Sequence, residues 1–182
     1  MTARTRGILL AVAAGAMAVA VGGCAATDLP AQSVLVPSVG PAMTVTPAVS
    51  QTRIELARVL GERGLVLSDS QAPVRPAESP LLTTAPRAVY QVLLPKDPTR
   101  GFIVAYEFLD ASRAAAAAAE QQAYLATGPG RVQTPQGTVT IIRQVGSTVL
   151  LYDWLPGVAL DSSAAGIQAA LETLGIGFAV PN

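Results

Sequence analysis

TVTIIRQVGSTVLLYDWL, running from Thr138 to Leu155, is the stretch that decides how this chain folds. β-Branched and aromatic residues dominate it, and Gly146-Ser147 at its centre is the pair expected of a two-residue hairpin loop of type I′ or II′. A loop that short fixes the register. Val145 pairs with Thr148, Arg143 with Leu150, Ile141 with Tyr152 and Val139 with Trp154. Side chains alternate along a strand, so these residues share one face, the aromatic one. Ile142, Val149 and Leu151 take the other face, interrupted by Gln144 and Asp153. A half-exposed sheet alternates apolar with polar more cleanly, so this hairpin needs cover on both sides.

A second hairpin lies upstream, with strands Arg87 to Leu94 and Gly101 to Phe108 joined by Pro95 to Arg100. Alternation groups Tyr90, Val92, Leu94, Phe102, Val104, Tyr106 and Phe108 on its aromatic face. Val89, Leu93, Ile103 and Ala105 fall on the other, with Gln91 and Glu107. The segment Val104 to Leu109 (VAYEFL) echoes Leu150 to Leu155 (LLYDWL), each ending a hairpin ahead of a helix. Two related ββα units produce that echo; so does ordinary strand composition.

Three helices complete the pattern. The first spans Arg53 to Arg63, with Thr52 and Glu55 as a capping box and Gly64 just beyond its end. The second starts at the N-cap Asp110, runs through Ala114 to Ala119 and stops at Gly128-Pro129-Gly130-Arg131, read as a stop and turn. The third starts at Asp161 or Ser162, carries Ile167, Ala170, Leu171 and Leu174 on one face, and ends at Gly175. Leu65 to Leu67 reads as a short strand, and Ser68 to Pro80 as a loop broken by Pro73, Pro76 and Pro80. The expected fold is α+β, a four-to-five-stranded, mainly antiparallel sheet from two ββα units with three helices. The second and third helices are expected over the aromatic face. The other face is open to three kinds of cover: the first helix with the Leu65 to Pro86 segment, a second subunit or protein partner, or a ligand.

Composition then narrows the chemistry. The chain has 182 residues, 51% of them apolar and 13% charged, with 12 basic and 12 acidic side chains, no histidine and one cysteine. Balanced charge gives no electrostatic footprint for nucleic acid. Without histidine there is no Ser-His-Asp or Cys-His catalysis, and one cysteine permits neither an internal disulfide nor a thiolate metal site. No metal or cofactor is expected.

The N-terminus says where the chain goes. Arg4 and Arg6 precede an unbroken apolar run from Ile8 to Val21, whose 14 residues make roughly 21 Å of helix, short of a ~30 Å bilayer core. That is the length of a secretory signal, not of a permanent span. The run ends in Val21-Gly22-Gly23-Cys24, which resembles the bacterial lipobox. The resemblance implies lipid transfer to the Cys24 thiol and cleavage after Gly23. Residues 1–23 are thus expected to be a lipoprotein signal peptide, with an ordinary cleaved signal and an incidental cysteine as the alternative. Residues 24–50 are the lipidated cysteine and a tether rich in Pro and Ala, with Pro30, Pro37, Pro41 and Pro47 favouring extended chain. An edge strand at Val34 to Val36 or Met43 to Val45 is the alternative there. Residues 51–182 are a single α+β domain, held to the extracytoplasmic side of the bacterial envelope by lipid alone, because the mature chain is slightly acidic. The domain also resembles small uncharacterised bacterial envelope lipoproteins through Leu60-Gly61-Glu62-Arg63-Gly64-Leu65, Val104 to Phe108, the alanine-rich helix and Leu174 to Phe178. That resemblance implies an α+β fold and no activity.

Candidate contacts are few. Arg143, among apolar neighbours, can bind an anion or lay its stem on the sheet edge. Tyr106, Tyr152 and Trp154 can line a pocket or pack the core. Glu107 and Asp153 occupy equivalent positions of the echo as a candidate carboxylate pair. The expected function is a lipid-anchored, non-enzymatic domain that binds a protein partner or self-associates through the second sheet face. The alternative is a solute- or lipid-binding lipoprotein with its pocket between the sheet and the 68–86 loop.

Overall fold

A computed structural model of the protein describes residues 46–180. Cys24, the expected signal peptide, both alternative edge-strand segments (34–36 and 43–45) and most of the expected tether lie outside them. The elements in chain order are α1 (Pro47–Gly61), β1 (Leu67–Ser70), α2 (Pro80–Thr84), β2 (Arg87–Val92), β3 (Phe102–Glu107), α3 (Ala111–Ala126), α4 (Gly128–Gln133), β4 (Val139–Val145), β5 (Thr148–Trp154), a 3-10 turn (Pro156–Val158), α5 (Ser163–Leu171) and β6 (Ile176–Ala179). The six strands form one antiparallel sheet in the order β1-β2-β3-β5-β4-β6. The fold is α+β. Two strands and two helices differ from the expected layout. β1 lies later than Leu65 to Leu67 and reads Leu-Ser-Asp-Ser, with little strand propensity. β6 follows Gly175 and exists by pairing with β4. α2 and α4 begin at Ser-Pro and Gly-Pro pairs, where Pro suits the first helical turn as well as it suits a loop.

α1 also starts earlier than expected. Thr46 and Pro47 form an N-cap and first-turn pair, so residues 47–50, assigned to the tether, are helical. The Thr46 hydroxyl accepts from Val49 N and donates to Glu107. Thr52 is no cap: it lies buried inside α1, its hydroxyl 3.2 Å from that of Thr148. At α3 the expectation holds, with Asp110 accepting from Arg113 N at 2.8 Å.

The β4–β5 register is the one its two-residue loop dictates, from Val145↔Thr148 to Val139↔Trp154. The β2–β3 hairpin is in the opposite phase to the expected one. Tyr90 pairs with Ile103 and Val89 with Val104. Tyr90 and Val92 therefore share a face with Ile103 and Ala105, while Val104 and Tyr106 lie behind them. The long connection makes this possible: Asp97 N donates to Leu94 O (3.0 Å) and Arg100 N to Asp97 O (3.1 Å), and no short turn imposes a phase.

That phase sorts the helices. α1 and α5 pack Leu56, Leu60, Ile167 and Leu171 on the first face, against Tyr90, Val92, Ile103, Ala105, Leu150 and Tyr152. α3 and the Val74–Ala85 segment cover the second, where Val104, Tyr106, Ile142, Val149 and Leu151 meet Leu82, Ala114, Ala117 and Ala118. The second and third expected helices thus lie on opposite faces, not together. Both sheet faces are buried by the chain itself. The VAYEFL/LLYDWL echo is not a rotational repeat: Ile103↔Tyr152 and Tyr106↔Val149 put the two tyrosines on opposite faces, and a twofold axis relating neighbouring antiparallel strands preserves faces.

Candidate functional site

The second face is roofed by a segment with no regular structure until α2, and side chains hold it there. Gln121 of α3, fully buried, accepts from Ser79 N and donates to Ala77 O, both at 2.7 Å. It acts as a backbone-like partner for this irregular segment. Glu78 supplies the second clamp, its side chain 5% exposed. It accepts from the Tyr106 hydroxyl at 2.7 Å and pairs with Arg87 (3.1 Å) and Arg75 (3.0 Å). Arg87 also donates to Val74 O at 3.1 Å. Sequence reasoning missed both Glu78 and Gln121. Neither sits in a motif, and only the fold brings them to what they hold.

Where this roof ends, β3 has begun and β5 is finishing, and a cleft of about 220 Å³ opens. Its walls are Val74, Arg75 and Pro76 from the roof, Phe102, Val104, Leu151 and Asp153 from the sheet, and Asp97 with Arg100 from the β2–β3 connection. Tyr152, Trp154, Leu155 and Ala164 close it around the end of the sheet. Most of this lining is apolar.

Its charges are mostly spent on each other. Arg100 pairs with Asp97 at 3.4 Å and Arg75 with Glu78. Thr99 adds a hydroxyl to Asp97 at 3.3 Å. Asp153 differs. Its Oδ1 accepts from the Thr140 hydroxyl at 2.6 Å, and it joins no ion pair among the described residues. Burial pushes its carboxyl above the ordinary carboxylate range, with the Thr140 bond working the other way.

The expected contacts divide. Trp154 and Tyr152 line the cleft, with Trp154 Nε1 donating to Gln168 Oε1 at 2.9 Å and the Tyr152 hydroxyl to Ala164 O at 3.3 Å. Burial raises the Tyr152 phenol pKa. Tyr106 is interior, committed to Glu78, its phenol likewise raised by burial. Arg143 is a staple: its Nε and Nη2 donate to Leu174 O (2.6 Å) and Gly175 O (2.9 Å), between α5 and β6. It borders a separate open hollow of about 1040 Å³ along β4 and β6. Glu107 and Asp153 do not form a pair. Glu107 lies on the α1 side, bound by Thr46, and Asp153 on the other face. Cys24 is outside the described residues.

Among the described residues no cluster of three or more acidic, Cys or His side chains could hold a metal ion, and no helix is long and apolar enough to cross a membrane. No protein-family model, curated protein or solved structure matches the chain.

Proposed function

We propose that the chain is a lipid-anchored envelope protein that binds a small solute in the cleft beside Trp154, without chemical transformation. The observation that carries this reading is the cleft itself: concave, mostly apolar, with one carboxylate, Asp153, in no ion pair among the described residues, the usual make-up of a ligand site. It opens between the sheet and residues 74–76, within the 68–86 segment named from the sequence. Attachment through Cys24 at the extracytoplasmic side rests on the lipobox-like Val21 to Cys24.

Two experiments test the two halves. Trp154 is the sole tryptophan, so its emission reports occupancy of the cleft in the full chain. A solute library should contain members that shift it saturably, and Val74→Phe, which fills the cleft, should abolish the shift. No saturable shift from any solute overturns the binding reading. Mass spectrometry of protein from native membranes should find Cys24 at the N-terminus carrying acyl chains, and Cys24→Ser should release the domain from the membrane. A bare thiol overturns the anchor.

A self-associating or protein-binding domain is the second reading. Exposed Val66 and Leu93, adjacent through Leu93 N to Val66 O at 3.0 Å, favour it. Burial of the second sheet face by α3 and the roof segment weighs against the surface first assigned to it. Sizing the full chain in detergent decides: a strict monomer removes self-association.

A further inference from the structure

We propose that the cleft takes a small organic ammonium ion, with its charged head on the Asp153 carboxylate and its apolar body against Phe102, Leu151 and Val74. This rests on the solute-binding reading above and adds the ligand's chemical class. Charge accounting around the cleft points to it. Both cations on the walls, Arg75 and Arg100, already face carboxylates, Glu78 and Asp97. Asp153 is the wall carboxylate in no ion pair among the described residues, and one hydroxyl, Thr140, serves it. An ionised carboxylate can accept about four hydrogen bonds, so acceptor capacity remains beside an apolar wall.

Each alternative fares worse on the same chemistry. An anionic ligand would meet Asp153 directly, and the two guanidinium groups that could answer it are committed. A neutral ligand would strip water from the carboxylate without supplying a counter-charge, which is costly for a half-buried ion. A bare metal ion wants six or more oxygen ligands for calcium, or a near-octahedral shell for magnesium, and no such cluster exists among the described residues. An ammonium head on an apolar body meets every wall. The head gains a charge-assisted hydrogen bond. Trp154 and Phe102 add aromatic surface on which a cation can rest.

The test compares 2-phenylethylammonium with its neutral isostere 2-phenylethanol on the full chain, read by Trp154 fluorescence and by thermal shift. A hydrogen bond to a charged group is worth about a tenfold change in affinity or more, so the ammonium should bind at least about tenfold tighter. Asp153→Asn keeps the shape and an acceptor for Thr140, and should bring the two affinities together. Equal affinities in the wild type overturn the ammonium assignment while leaving the cleft as a binding site. A preference that survives Asp153→Asn overturns it too. If neither probe moves Trp154 and the solute library is also silent, the cleft reading falls with it. The wild-type ratio stands as a test even if the variant folds poorly.

Discussion

Replacing Gln121 by leucine should release the roof of the second face. Its amide makes two 2.7 Å bonds, one to Ser79 N and one to Ala77 O. Ser79 is fully buried, so its stranded N–H costs about 1–3 kcal/mol. Ala77 is half-buried and its carbonyl can turn to water, so that loss is about 1 kcal/mol. Ser79 Oγ is itself buried without a partner, so the surroundings offer little replacement. Leucine returns about 1–2 kcal/mol by burying a similar apolar volume. The net is a loss of about 2 kcal/mol, or roughly 4–8 °C in Tm for a domain of this size. Urea unfolding of the full chain measures the global term, and hydrogen exchange at the Ser79 amide measures the local one. A ΔΔG within about 0.5 kcal/mol of zero, with Ser79 still protected, would show that α3 does not hold this segment.

Asp153 gives a pH signature. Burial raises its folded pKa above the unfolded value of 3.8, so the native state binds the proton more tightly. Its contribution to stability is greatest below the unfolded pKa and is lost as pH rises through the folded one. Asp153→Asn should therefore be more stable than wild type at neutral pH, with the gain vanishing near and below pH 3.8. Asp69, lowered by its bond to Arg53, and Asp161, lowered by the Ser163 and Lys96 amides, run the other way. Only the difference in Tm between variant and wild type across pH isolates Asp153, and a flat difference refutes the argument. Arg143→Met should cost about 1.5–3 kcal/mol, because two charge-assisted bonds to the Leu174 and Gly175 carbonyls, between α5 and β6, disappear. Chemical denaturation reads it, and retained binding at Trp154 in the same variant would confirm that Arg143 is no ligand contact.

The second hairpin was legible down to its register because a two-residue loop leaves no freedom. The first was legible as two strands but not in phase, since the Leu93 to Gly101 connection folds into its own turns and accepts either parity. That one error moved a helix to the wrong face. The cap at Asp110 and the positive φ at Gly64 (71°) were readable from residue type alone, as local signals are, whereas α5 stops at Leu171, short of the Gly175 expected to end it. Thr46-Pro47 carried an equally good start signal, hidden because Pro47 continues the spacing of Pro30, Pro37 and Pro41. Trp154 and Tyr152 were visible as aromatic positions. Asp153 was visible too, though paired in expectation with a residue on the opposite face.

By itself the sequence determined the α+β class, the β4–β5 pairing and the absence of histidine and disulfide chemistry. All follow from side-chain type, alternation or a turn too short to vary. Only the tertiary structure decided that Glu78 and Gln121 hold the roof of the second face, that Arg143 ties β4 to the turn after α5, and that Asp153 stands in a cleft in no ion pair among the described residues. Those facts depend on groups tens of residues apart meeting in space, and no local pattern encodes which partner a buried polar group will find.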